Sequence, residues 1–277
     1  MDLVKIFLHD NIQELTLDFD GFDEEIMSLY SDDLLASPEV RTACRLLQKI
    51  PTVATRVTRV TINMQNYMLM FAFGKSIGNA LSLFNDLTEL TASSCGVLKP
   101  SMVIALKDLP SLRTVLSTDQ RDRLACQPRH PTLRRKDPAR SNRFPSLEFL
   151  HLYGSLAAMS TAFGDGWGQF SSLTYLRLCV PCDHTLPSDV IDFLSTPCER
   201  LVDLTIVFLE PQPGNIGTTV PMNRTNSGRM LSLKTLKVYR NGWSNDHVVD
   251  LIERLPQLES LRIGPHVSGV RSVYDYL

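Results

Sequence analysis

One phrase recurs along the chain and leaves few folds open to it. It reads LEFLHLYGS at Leu147–Ser155 and returns as LTYLRLCVP (Leu173–Pro181), LVDLTIVFL (Leu201–Leu209), LKTLKVYRN (Leu233–Asn241) and LESLRIGPH (Leu258–His266). The frame is L-x-x-L-x-L, with a further apolar residue three positions upstream: Phe144, Phe170, Cys198, Met230 and Leu255. Weaker copies precede it at Ile12-Leu15-Leu17, Val57-Val60-Ile62, Leu87-Leu90-Ala92 and Leu112-Val115-Ser117, nine in all. The last two frame positions are two apart, so they share one face of a short strand. The first sits a bend earlier and turns to the same side. A single unit of this size cannot bury its apolar face alone, whereas stacked units bury a continuous core.

The five clear copies return every 25 to 32 residues. In frame and spacing they resemble the leucine-rich repeat. That resemblance implies an α/β solenoid, a horseshoe with parallel concave strands and convex helices, built of about nine irregular repeats in one domain over residues 1–277. Helical periodicity between strands agrees. Residues 23–35 and 38–50 read as helices. Ser101–Leu109 offers Ser101 as N-cap, with Met102, Ala105, Leu106 and Leu109 on one face. Ser188–Leu194 starts the same way, as does Ser244–Leu255, whose stripe is Val248, Leu251, Ile252 and Leu255. The ninth frame position, Asn or Cys in the consensus, obeys only at Cys95 and Asn241. Turn chemistry has therefore drifted.

Two stretches interrupt the beat. Residues 118–143 are basic and contain Pro; residues 210–228 are rich in Pro, Gly, Asn and Thr. Both read as loops inserted between units. The formal charge of −2 conceals an asymmetry: residues 1–40 carry eleven acids against Lys5, and residues 121–143 carry eight bases against Asp122 and Asp137. Such a balance does not describe a nucleic-acid or membrane protein as a whole. Within the basic loop, Arg134, Arg135 and Lys136 are candidates for clamping an acidic or phosphorylated partner, for an import signal or for phosphate contacts. A solvated insertion is the plainer reading, since charge blocks are commonly disordered.

Six cysteines in a long chain, with acids at both ends of Met1–Asp10 and too short an apolar run there for a signal peptide, predict free thiols in the cytosol or nucleus. The most apolar run, Tyr67–Phe73, is too short to span a bilayer. Cys179 and Cys182 have the C-x-x-C spacing of a redox pair or a zinc site, with His184 nearby and Cys198 the only obvious fourth ligand for a structural zinc. A lone C-x-x-C is weak, and no metal or cofactor is expected. No phosphate loop, H-E-x-x-H or G-x-S-x-G is present, and Gly164–Gly168 lacks the Lys of a phosphate loop. The chain is expected not to be an enzyme.

The concave face is the better candidate site. Its outward positions carry Phe149, His151 and Tyr153, then Tyr175 and Arg177, then Lys237 and Tyr239, then Arg262. Small polar residues normally suit such positions, as at Thr61, Thr91 and Thr205. Aromatics beside cations match the composition of binding hot spots, although aromatics also suit strands in general. The expected ligand is a protein segment, acidic or phosphorylated.

Phe144–Leu147 (Phe-Pro-Ser-Leu), Leu109–Leu112 (Leu-Pro-Ser-Leu) and Leu255–Leu258 (Leu-Pro-Gln-Leu) introduce irregular units in a way that resembles the fungal F-box and leucine-rich-repeat proteins. The resemblance runs from Ile12 to the C-terminus; the F-box helices have no counterpart before it. It implies the substrate-recognition repeats of a ubiquitin-ligase receptor, without the module that docks on a Skp1-type adaptor. A ribonuclease-inhibitor-like scaffold and a nucleic-acid binder through the basic loop are the alternatives.

Overall fold

The computed structural model describes residues 10–19, 37–64, 67–93, 98–117, 144–163, 170, 172–181, 187–194, 198, 200–209, 230–239, 249 and 252–264. The expected helix over 23–35, both insertions, Gly164–Gly168, Cys95, Cys182 and Asn241 lie outside them, as does most of 244–255.

Each frame is a strand: β1 (Glu14–Asp18), β2 (Arg59–Asn63), β3 (Glu89–Ala92), β4 (Thr114–Ser117), β5 (Phe149–Tyr153), β6 (Tyr175–Pro181), β7 (Asp203–Leu209), β8 (Thr235–Tyr239) and β9 (Ser260–Gly264). They form one nine-stranded parallel sheet in chain order. The register sets frame residue against frame residue, from Leu15 beside Val60 to Leu236 beside Leu261. Val60, Leu90, Val115, Leu150, Leu176, Leu204 and Leu236 are all buried, and the terminal Leu15 and Leu261 are half-buried. This is an α/β solenoid of leucine-rich units.

The upstream residue is equally regular. Phe84, Leu109, Phe144, Phe170, Cys198, Met230 and Leu255 are buried, and Phe144 stacks on Phe170 with ring centres 4.9 Å apart. In several units its carbonyl accepts from the leading frame residue three positions on, as Phe84 does from Leu87 and Cys198 from Leu201. That turn swings the leading residue inward.

Every junction between units repeats one motif. The carbonyl just after the leading frame residue accepts two N–H groups of the next unit: Gln13 from Thr58 and Arg59, and so on to Lys234 from Glu259 and Ser260, all at 2.8–3.1 Å. The serine just before the leading frame residue has a related task. Ser146 Oγ donates to the Pro110 carbonyl (2.8 Å), and Ser172 Oγ to the Pro145 carbonyl (2.9 Å). Carbonyls that no strand ladder reaches are thereby satisfied.

Helices cover the frame side of the sheet. Helix α1 (Pro38–Val53) begins where Ser37 caps Val40 and Pro38 needs no N–H partner. It runs one turn past the expected Ile50 because Pro51 costs one hydrogen bond without closing the helix, and Ala54 N–H returns to the Ile50 carbonyl. Helix α2 (Tyr67–Leu81) places Phe73, Ile77, Ala80 and Leu81 in the core. Helix α3 (Pro100–Val103) passes into a 3₁₀ turn, Ile104–Leu106. Two expectations change here. Pro100, favoured at a first helical position, starts the helix, so Ser101 is not the cap. The 3₁₀ turn has three residues per turn, so Val103, Leu106 and Leu109 line up inward and Ala105 is exposed. Helices α4 (Leu156–Phe163) and α5 (Pro187–Leu194) follow among the described residues. Near the last strand Leu255 is buried as expected, but Ile252 is 48% exposed, because the turn that follows brings only Leu255 over the sheet.

The regularity breaks once. Strands β4 and β5 share only the pairs Thr114–Phe149 and Val115–Leu150, against four to seven pairs at the other junctions. Beyond them Tyr153 donates its N–H to the Leu98 carbonyl, reaching past β4 to the segment after β3. Helix α3 packs on α4, and Pro100 stands over Gly154, where a Cβ would lie 3.5 Å from Pro100 Cδ. Gly154 has φ +153°, a conformation that also favours glycine.

Candidate functional site

Alternation along each strand sends the residues between frame positions to the helix-free face. Three lateral rows result across β5–β9. The first is Phe149, Tyr175, Asp203, Thr235 and Ser260; the second is His151, Arg177, Thr205, Lys237 and Arg262; the third is Tyr153, Cys179, Val207, Tyr239 and Gly264. All eight residues expected on this face occupy helix-free positions in the register, but His151 and Tyr175 are buried there. The other half differs in character: β1–β4 present Glu14, Arg59, Glu89 and Thr114, then Thr16, Thr61, Thr91 and Leu116. Glu14 pairs with Arg59.

The aromatic end is compact. Phe149 and Tyr175 rings lie 6.1 Å apart, and His151 and Tyr175 rings 5.8 Å apart, both tilted. Phe149 is half-buried, Tyr175 is 9% exposed, and Tyr153 is half-buried against the margin of the core.

His151 is not a solvent-facing group. It is 3% exposed, and its Nδ1 accepts the Ser117 N–H at 3.1 Å. An imidazole accepting at Nδ1 carries its proton on Nε2. Burial, with the Arg177 guanidinium beside it, brings its pKa down to about 3. His151 is thus a neutral filler where the β4–β5 ladder stops, and it adds no cation to the face.

The cationic end centres on Arg177, Lys237 and Arg262. Arg177 and Lys237 are half-buried on either side of the short Thr205, which is 3% exposed; Arg262 is exposed. Lys237 Nζ lies 3.4 Å from Asp203 Oδ2. Burial nonetheless raises the Asp203 pKa, against the opposing pull of Lys237, so desolvation outweighs the ion pair. Its Oδ1 is buried without a hydrogen-bond partner. Sequence reasoning passed over Asp203, although its place two residues before Thr205 puts it on this face. Tyr239 leans over Gly264, its ring carbons 3.4 and 3.6 Å from where a Cβ would stand.

Arg134, Arg135 and Lys136 lie outside the described residues. Cys179 is half-buried on the helix-free face, whereas Cys198 is buried under the helix layer, its thiol pushed up to about 12. The two thiols are on opposite sides of the sheet, so Cys198 cannot join Cys179 at one metal. Among the described residues no group of three metal-binding side chains occurs, and no helix is long and apolar enough to cross a membrane.

No protein-family model matches the sequence, and no curated protein does. Among solved structures, that of the leucine-rich repeat-containing protein LegL7 from Legionella pneumophila is 12% identical, with a TM-score of 0.35, over 99% of this chain and 92% of its own. A likeness at that level carries no argument, and the solenoid rests on this chain's own strand register.

Proposed function

We propose that the chain is a non-enzymatic protein-interaction module whose partner seats on the helix-free face of β5–β9. The observation that carries this is the contrast along one sheet: the described face of β1–β4 holds no aromatic and its one cation, Arg59, is paired with Glu14, whereas β5–β9 gather Phe149, Tyr153, Tyr175 and Tyr239 with Arg177, Lys237 and Arg262. Aromatic and Arg side chains supply most of the energy at protein interfaces. In this reading the sheet lines the concave side of a horseshoe. Strands about 4.8 Å apart on one side, backed by helices about 10 Å thick on the other, curve an array that way.

The finer reading is that the partner is a substrate delivered to ubiquitination, with the chain serving as recognition repeats of the F-box type in cytosol or nucleus. Support for it is the way Leu109–Leu112, Phe144–Leu147 and Leu255–Leu258 introduce their units, and six cysteines in a long chain suit a reducing compartment. The test is affinity purification followed by mass spectrometry, with Tyr153→Ala and Arg177→Ala beside the parent chain. The expected result is a partner that both variants lose and that carries ubiquitin in cells. A partner held equally by both variants would overturn the site, and a face-dependent partner that is never ubiquitinated would overturn the ubiquitin reading alone.

A further inference from the structure

Lys237 and Arg262 are direct register partners on β8 and β9, so two cations stand about 4.8 Å apart at the backbone on the same face. Like charges so placed repel; an anion seated between them reverses that cost. Their surroundings supply only part of the compensation. Asp203 reaches Lys237 from the β7 side, while among the described residues no carboxylate pairs with Arg262. The flanking positions are Thr235 and Ser260 in one row, Tyr239 and Gly264 in the other, all uncharged. At this pair two cations against one carboxylate leave a single positive charge; Arg177, the next cation in the row, stands two strands from Lys237 with Thr205 between them.

We propose that Lys237 and Arg262 form a carboxylate subsite for an Asp or Glu side chain of an extended partner segment. This rests on the reading of the helix-free face given above. One uncompensated charge matches a carboxylate, which the Arg262 guanidinium grips with two parallel N–H bonds; a phosphate dianion would leave an excess negative charge beside Asp203. Tyr239, leaning over Gly264, walls one side and thins the water around the contact.

The sheet also sets the spacing of the ligand. From Arg262 on β9 to the aromatic end is three strands at Tyr175 and four at Tyr153, about 14 to 19 Å. An extended chain advances about 3.3 Å per residue. The acidic residue therefore lies four to six positions from an aromatic or large aliphatic residue that rests on Tyr153 and Tyr175.

The experiment is selection of a phage-displayed random dodecapeptide library on the full chain, repeated on Arg262→Ser, Lys237→Gln and Tyr153→Ala. Circular dichroism confirms that each variant is folded. Enriched peptides are expected to carry Asp or Glu four to six residues from Phe, Trp or Leu, and a synthetic hit should bind Arg262→Ser at least tenfold more weakly. Failure to enrich, or enrichment with no acidic position, overturns the subsite. If such peptides still need Tyr153, the face reading stands while the subsite falls; indifference to all three variants sinks both. Replacing the acidic residue of a hit by phosphoserine is the last arm, and tenfold tighter binding would reassign the subsite to phosphate.

Discussion

Ser117 gives its backbone N–H to a side chain, His151 Nδ1, at the point where strand pairing between β4 and β5 ends. The imidazole takes over from a ladder carbonyl, and burial keeps it neutral down to about pH 3. In the unfolded chain it accepts a proton near pH 6.5. Between those values the unfolded state binds the extra proton, so stability is lost as pH falls, by at most about 1.4 kcal/mol per unit from this group. Above 6.5 it contributes no slope. Urea denaturation between pH 7 and 5 should show His151→Gln, whose side-chain oxygen can accept the same N–H, with the shallower pH dependence. Identical slopes would mean that His151 is not buried as a neutral group. His151→Ala should cost about 1–3 kcal/mol at pH 7, since it orphans the Ser117 N–H.

The strand register makes a second prediction. Leu176 is fully buried between Leu150 and Leu204, and Leu176→Ala should cost about 2–5 kcal/mol in chemical denaturation. Thr61→Ala, on the opposite face of the same sheet, should cost less than about 1 kcal/mol. Equal losses would contradict the facing of the strands.

The strands were legible because a period of two is short and the leucines holding it are fully buried. Helices α1 and α5 were legible because polar positions alternate with apolar ones behind a Pro. Helices α2 and α4 were not: FAFGKSIGNAL and LAAMSTAF offer little polar contrast, and a helix apolar nearly all round carries no stripe to read. At the site, which face each residue occupies followed from alternation alone. The burial of His151 did not, since it depends on β4 ending early against a strand 34 residues away in sequence. Neither did the hold of Asp203 on Lys237, a diagonal contact between different units.

The serine that precedes the leading frame residue has a measurable structural role. Ser146→Ala and Ser172→Ala each remove one hydrogen bond between neighbouring units. Each should lower stability by about 0.5–1.5 kcal/mol. The double variant reads their coupling, with a near-additive loss expected for bonds at separate junctions. No loss in either variant would leave that serine without a stacking function.

Asp203 supplies a prediction of opposite pH sense. Its folded pKa is raised by burial, so its charged form is disfavoured in the fold and stability is gained as pH falls through that pKa. Asp203→Asn resembles the protonated form. It should be more stable than the parent at pH 7, with the difference closing as pH falls into the carboxylate range. If Asn destabilises the protein equally at pH 7 and 4.5, the Lys237 ion pair outweighs desolvation after all.

The seam at β4–β5 has a mechanical consequence. Units that touch only their neighbours break at their thinnest coupling, and in the sheet that is the two-pair junction. The helix layer is not cut at the same place. Tyr153 N–H holds Leu98, Pro100 rests on Gly154, and α3 lies against α4, so the layer bridges from the β3 unit to the β5 unit over the gap. The two halves therefore meet in a lap joint rather than a butt joint. A side chain at Gly154 fits beside Pro100 but strains a backbone held at φ +153°, and an array loosened at that overlap would come apart as two blocks that melt at different temperatures.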